Sequence, residues 1–127
     1  MKALSSIISF IAITLLACQS KGDFKSINVE EFETLIAQPE VQRLDVRTLA
    51  EYKEGHIPGS LNLNVRDEEH FKASADSLLN KEYPVAVYCR SGNRSKKAAT
   101  ILTEKGYKVY ELSSGIIGWK AAGKAVE

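Results

Sequence analysis

Val85-Ala86-Val87-Tyr88-Cys89-Arg90-Ser91-Gly92-Asn93-Arg94-Ser95 joins two kinds of sequence. Residues 85–89 are a continuous apolar run without polar alternation, the pattern of a strand buried on both faces. Residues 90–95 are polar and carry two arginines, two serines and a glycine. From 94 to 105, Ala98, Ile101 and Leu102 recur at helical spacing, and Gly106 ends the run. In a parallel sheet, ligands sit beyond the carboxyl ends of the strands. The Cys89 loop is therefore the first place to look for chemistry.

Outward from this stretch, strand and helix signals alternate. Residues 24–27 form a short strand. Asn28 with Glu31 three positions on is a capping-box start, Ile27 and Phe32 are placed as a hydrophobic staple, and Phe32, Leu35 and Ile36 make one apolar stripe before Pro39. Residues 41–46 read as a strand. Thr48 and Glu51 repeat the capping pattern in a short helix that Gly55 stops. Leu61 and Leu63 mark a third strand. Residues 67–79 read as a helix with Asp67, Glu68 and Glu69 in its first turn and Phe71, Ala75, Leu78 and Leu79 inward. Residues 107–112 are the last strand and 116–122 a short final helix. The order β-α-β-α-β-α-β-α-β-α predicts an α/β fold with a parallel sheet covered on both faces.

The chain has 127 residues, 44% hydrophobic and 26% charged, which bounds it to one small domain. Lys plus Arg is 17, Asp plus Glu is 16, and the net charge is +1, which argues against a nucleic-acid partner. The apolar content argues against disorder. Two cysteines and two histidines, with no CxxC or HxxxH spacing, give neither a disulfide scaffold nor a structural zinc site. No metal or organic cofactor is implied.

Residues 1–17 read as an address. Lys2 supplies a positive start, and the apolar run to Ala17 falls short of the roughly 20 residues of a spanning helix. The run ends in Leu15-Leu16-Ala17-Cys18, which resembles the bacterial lipobox. That resemblance implies cleavage before Cys18, lipidation of its thiol, and residence in the cell envelope, with the periplasmic side of the outer membrane favoured because Gln rather than Asp follows Cys18. Residues 18–23 then form a polar tether, and residues 24–127 the domain. Cys89 is left as the one free thiol.

Cysteine reacts as its thiolate, and an ordinary thiol is mostly protonated at neutral pH. Arg90 and Arg94 are permanent cations in the loop, and a helix start adds partial positive charge and unpaired N–H groups. Gly92 lets the backbone curl so that N–H groups converge. Ser91 and Ser95 add hydroxyl donors. The expected product is an anion cradle with a nucleophile at its floor. The competing reading is an inert cysteine at a strand end, since free cysteine is among the most buried residue types. The polar company of Cys89 argues for chemistry.

At this point the chain resembles the rhodanese (thiosulfate sulfurtransferase) domain family. The resemblance rests on Leu44-Asp45-Val46-Arg47, Glu54-Gly55-His56-Ile57-Pro58-Gly59-Ser60, the Cys89–Ser95 loop, Gly106-Tyr107 and Gly115-Ile116-Ile117-Gly118-Trp119, in the family's order and spacing over residues 24–125. It implies a five-stranded parallel sheet with helices on both faces. It implies that Cys89 accepts a sulfane sulfur as a persulfide from a small anionic donor such as thiosulfate and passes it to a thiol or to cyanide. Arg90, Ser91, Gly92, Asn93, Arg94 and Ser95 are the implied substrate-binding residues, and Asp45 and Arg47 a supporting pair that is equally readable as a structural ion pair. Two departures concern the rim: Ser114 stands where the family often has glycine, and Gly123-Lys124-Ala125 where it often has Gly-x-Pro.

Two other readings stay open. A cysteine-dependent phosphatase or arsenate reductase also uses a thiolate in an anion loop, but common phosphatases place five residues between cysteine and arginine, whereas Cys89 and Arg94 have four between them. A rhodanese-like sulfur carrier or binding module for a membrane partner is the other. Elsewhere, His56 reads as a turn residue, His70 as solvated, Lys96 and Lys97 as a solvated helix face that can add positive potential near the loop, and Trp119, Tyr83, Tyr88, Tyr107 and Tyr110 as packing.

Overall fold

The computed structural model describes residues 23–127, so the readings made on the leader, the Cys18 lipobox and nearly all of the tether lie outside the described residues. Among the described residues, five strands alternate with five helices: β1 (Lys25–Ile27), α1 (Val29–Ile36), β2 (Gln42–Asp45), α2 (Leu49–Glu54), β3 (Leu61–Asn62), α3 (Glu68–Leu78), β4 (Val85–Tyr88), α4 (Asn93–Glu104), β5 (Val109–Leu112) and α5 (Gly115–Ala121). All strand pairings are parallel and the order is β1-β5-β4-β2-β3. The expected α/β architecture and element order are borne out. The strands are shorter by one or two residues than the runs that announced them.

The central position of β4 explains its composition. Val85, Ala86, Val87 and Tyr88 are all 0% exposed. Alternate side chains of β4 leave the sheet on opposite faces. Val85 and Val87 join the core under α3 and α4, with Phe71, Ala75, Ala98 and Leu102. Ala86 and Tyr88 join the core under α1 and α5, with Phe32, Ile116 and Trp119. Phe32 packs edge-on against both Tyr88 and Trp119, with ring centroids 6.2 and 6.1 Å apart.

Both predicted capping boxes are present. Asn28 Oδ1 accepts from the Glu31 N–H while Glu31 Oε1 accepts from the Asn28 N–H, and Thr48 and Glu51 make the same exchange. The chain runs outward from β2 to β3, then returns to lay β4 on the other side of β2. At such a reversal the carboxyl ends of neighbouring strands open a crevice. The β2–β4 register sets Asp45 beside Tyr88, and the β4–β5 register sets Val87 beside Glu111. Cys89, Asp45 and Glu111 thus share one end of the sheet.

Candidate active site

Cys89 is the first residue beyond β4, and it is 1% exposed at the floor of the loop. Gly92 folds the loop back on it. Its φ is +108°, and a β-carbon there would lie 2.4 Å from the Ser113 carbonyl oxygen, so both conformation and space demand glycine. The Gly92 N–H then donates to Cys89 Sγ at 3.1 Å. Helix α4 starts at Asn93 with no side chain accepting from its first turn. Its amino end, with the positive pole of the helix, faces the loop.

The loop is locked from the other side by α5. The N–H groups of Ile116 and Ile117 donate to the carbonyls of Cys89 and Arg90 at 2.9 and 3.1 Å. This approach places a Gly115 β-carbon 2.2 Å from the Arg90 oxygen, so Gly115 is required. Ser114, the departure noted above, has φ −93° and meets no such demand. The glycine that the rim needs is the one retained.

The two loop arginines are not equivalent. Arg94 is held by Glu51 in a two-pronged pair, Nη1 to Oε1 at 2.7 Å and Nη2 to Oε2 at 2.9 Å. Its charge is therefore largely answered within the protein, and it is raised further above the usual guanidinium range chiefly by those bonds to Glu51. The same bonds hold the Glu51 carboxyl down at about 2. Arg90 is exposed on the loop and carries its charge toward solvent. Ser91 and Asn93 are exposed on the rim.

Ser95 is buried and does lie at the sulfur, but its placement reverses the expected role. The Cys89 thiol donates to Ser95 Oγ at 3.3 Å, and the Ser95 hydroxyl donates to Glu111 Oε2 at 2.7 Å. Lys96 lies on the exposed helix face and adds positive charge near the loop, as read: its side chain is 49% exposed, Nζ donates to the Gly92 carbonyl at 3.1 Å and sits 3.5 Å from Glu111. Lys97 is as expected, outward and paired with Glu68 at 2.8 Å.

Asp45 and Arg47 form a buried ion pair. Arg47 Nη2 lies 2.6 Å from Asp45 Oδ2 and donates to the Gly55 carbonyl at 2.7 Å. Asn62 donates to the carbonyls of both residues. With both charges engaged, the pair braces the β2 end and its turn. His56 stacks on Tyr52 at 3.8 Å and its Nδ1 pairs with the Tyr52 carbonyl. The Tyr88 hydroxyl accepts from the Ile57 N–H and donates to Ser60, and burial first of all raises its pKa well above the usual phenol range. Two site residues escaped the sequence reading, Glu111 and the second role of Glu51. A lone carboxylate inside the apolar strand Val109–Leu112 was the available signal for the first.

A rhodanese-like domain family model matches residues 28–122. The chain belongs to the rhodanese-like domain family. It is 33% identical over 102 residues to the thiosulfate sulfurtransferase GlpE of Pseudoalteromonas translucida, covering 78% of this chain and 91% of that protein. It is 37% identical over 99 residues to a sulfurtransferase of Allochromatium vinosum, covering 76% and 89%. Among solved structures, a rhodanese-related protein of Thermoplasma volcanium superposes with a TM-score of 0.71 at 28% identity, covering 82% of this chain and 98% of that one. Family and relatives together make this rhodanese-like chain a sulfurtransferase enzyme.

Proposed function

We propose that sulfur passes through Cys89 as a persulfide, from a small anionic donor such as thiosulfate to a thiol or to cyanide. The carrying observation is the Gly92 N–H aimed at Sγ from 3.1 Å, at a helix start that no side chain caps. Such a donor fits an anionic sulfur better than a thiol.

In the first half-reaction the Cys89 thiolate attacks the outer sulfur of the donor. An Sγ–S bond forms, the donor's S–S bond breaks, and sulfite leaves with the bonding pair. Exposed Arg90 draws the donor anion to the loop. In the second, an acceptor thiolate or cyanide attacks the outer sulfur, and Cys89 leaves as thiolate. Each step is a displacement at sulfur, so the two follow in ping-pong order.

Incubation with excess thiosulfate tests this directly. Intact mass should rise by one sulfur, with sulfite released in step, and Cys89→Ser should show neither. Unchanged mass and no sulfite would defeat the thiosulfate reading. Phosphate release from an aryl phosphate, lost in Cys89→Ser, would move the loop to phosphoryl chemistry.

The Leu15-Leu16-Ala17-Cys18 sequence supports a lipid anchor on Cys18 that holds the domain at the bacterial cell envelope. Export in the native host should put the protein in the detergent phase of a Triton X-114 partition, and Cys18→Ser should move it to the aqueous phase. Aqueous partition of the unaltered protein would sink the anchor.

A further inference from the structure

Glu111 is 0% exposed, and a fully buried carboxylate is rare unless it is paired. Its Oε1 accepts from the Ser26 hydroxyl at 2.6 Å, its Oε2 accepts from the Ser95 hydroxyl at 2.7 Å, and Lys96 Nζ stands 3.5 Å from Oε2. Ser95 Oγ is 3.3 Å from Cys89 Sγ, with the thiol as donor. The sulfur is therefore one hydroxyl away from a buried anion.

A serine hydroxyl has a single proton. Given to Glu111, that proton is withheld from the sulfur, and the Ser95 lone pairs face Sγ. Lone pairs accept a thiol S–H and oppose a thiolate, as does the nearby carboxylate charge. We propose that Glu111 is a positioning residue which, through Ser95, favours the uncharged Cys89 sulfur over the thiolate. The proposal rests on Cys89 being the reacting sulfur.

Among the other charges around the pair, Arg94 from α4 acts on Cys89 electrostatically but is held in an ion pair by Glu51 of α2. Asp45 and Arg47 of β2 answer each other. β1 contributes the Ser26 hydroxyl, α5 brings no charged residue in its first turn, and Arg90 points its charge to solvent. Lys96 partly offsets Glu111 from the exposed side.

The consequence reaches the sulfur cycle. Once loaded, Sγ is bonded to the outer sulfur and carries neither proton nor charge, a state the Ser95 lone pairs tolerate. On discharge the Sγ–S bond breaks, the pair stays on Sγ as thiolate, and a proton is later taken from water. Glu111 opposes that thiolate, so it lengthens the life of the persulfide and slows both half-reactions. The device suits a protein that holds sulfur for an acceptor more than one built for rapid turnover.

Glu111→Gln tests it, because the amide keeps the size, removes the charge, and can donate to Ser95 so that the serine proton turns to sulfur. Carbamidomethylation of Cys89, followed on its own peptide by mass spectrometry at pH 7, should be about three- to tenfold faster than in the unaltered protein. Thiolate ultraviolet absorbance at that pH should rise, and the persulfide should discharge faster to added thiol. Lys96→Met, at a half-exposed position, should act the opposite way and slow alkylation about two- to threefold. Slower alkylation in a Glu111→Gln protein of unaltered circular dichroism would make Glu111 the proton acceptor and overturn the proposal. No change would reduce Glu111 to packing and overturn it too. If Glu111→Gln fails to fold, Lys96→Met decides, and an unaltered or faster rate there defeats the proposal. Alkylation uses no sulfur donor, so its result is independent of whether thiosulfate loads Cys89.

Discussion

Helices α1 and α2 begin with complete capping boxes, whereas α4 begins on a left-handed glycine with no side-chain cap. All three starts leave the same orphan N–H groups. In α1 and α2 the N-cap side chain accepts from the N–H three residues on, and the glutamate there accepts from the N-cap N–H, so the helix start is closed by its own side chains. At α4 the turn into the helix is left for a sulfur at 3.1 Å instead. The contrast separates structural from chemical helix starts within one chain. It also joins them, because Glu51, the capping residue of α2, reaches 2.7 Å to Arg94 in the first turn of α4.

Gly92→Ala breaks this contrast most severely. The new β-carbon meets the Ser113 carbonyl at 2.4 Å on a backbone with φ +108°. The loop must move, and its N–H leaves the sulfur. Persulfide formation should fall by about a hundredfold, as for a misplacement of roughly 1 Å at a reacting group. Stability should fall by about 1 to 3 kcal/mol. Stopped-flow sulfite release and thermal melts measure the two separately. Near-normal sulfite release would mean that the Gly92 N–H is not what holds the reacting sulfur.

Local pattern explains what was legible in advance. The capping boxes involve residues three apart, and β4 is announced by four consecutive apolar residues. The Cys89 loop is contiguous, so its cradle could be read from one stretch. What escaped depends on strand order. Ser26 meets Glu111 across 85 positions, and Arg94 meets Glu51 across 43. No spacing rule reaches that far. Only the arrangement β1-β5-β4-β2 brings Glu111 beside β1 and β4 and sets α2 against the start of α4. For the same reason the sequence places two arginines in the loop without showing that Glu51 clamps Arg94.

The clamp sharpens the comparison through acid. Glu51 is held at about 2, first by its bonds from Arg94, against an ordinary value of 4.5. Its carboxylate contribution is therefore complete above about 4.5 and is lost as pH falls toward about 2. The partly exposed pair is screened, so the loss should be about 1 to 2 kcal/mol. Urea melts across that range should show the unaltered protein losing this amount relative to Glu51→Gln, which has no carboxylate to protonate. Parallel pH dependence in the two proteins would mean that the α2 cap and the α4 loop are not coupled through this pair.

Asn28→Ala is the mildest case and the cleanest control on the contrast. It removes the side-chain half of the α1 box, in which Asn28 Oδ1 accepts from the Glu31 N–H at 2.9 Å. Loss of such a cap costs about 1 kcal/mol. The route from α1 to the loop runs through packing, since Phe32 meets Tyr88, the residue before Cys89. Yet Phe32 is 0% exposed and fixed by Trp119 as well. Fraying at residue 28 should stop within one turn, short of any shift at Tyr88. Thermal melts should register the lost stability, while sulfite release at a temperature well below the transition should stay within about twofold. If the rate fell in proportion to the stability, the capped helix start would be part of the chemistry after all, and the division between the two kinds of helix start would fail.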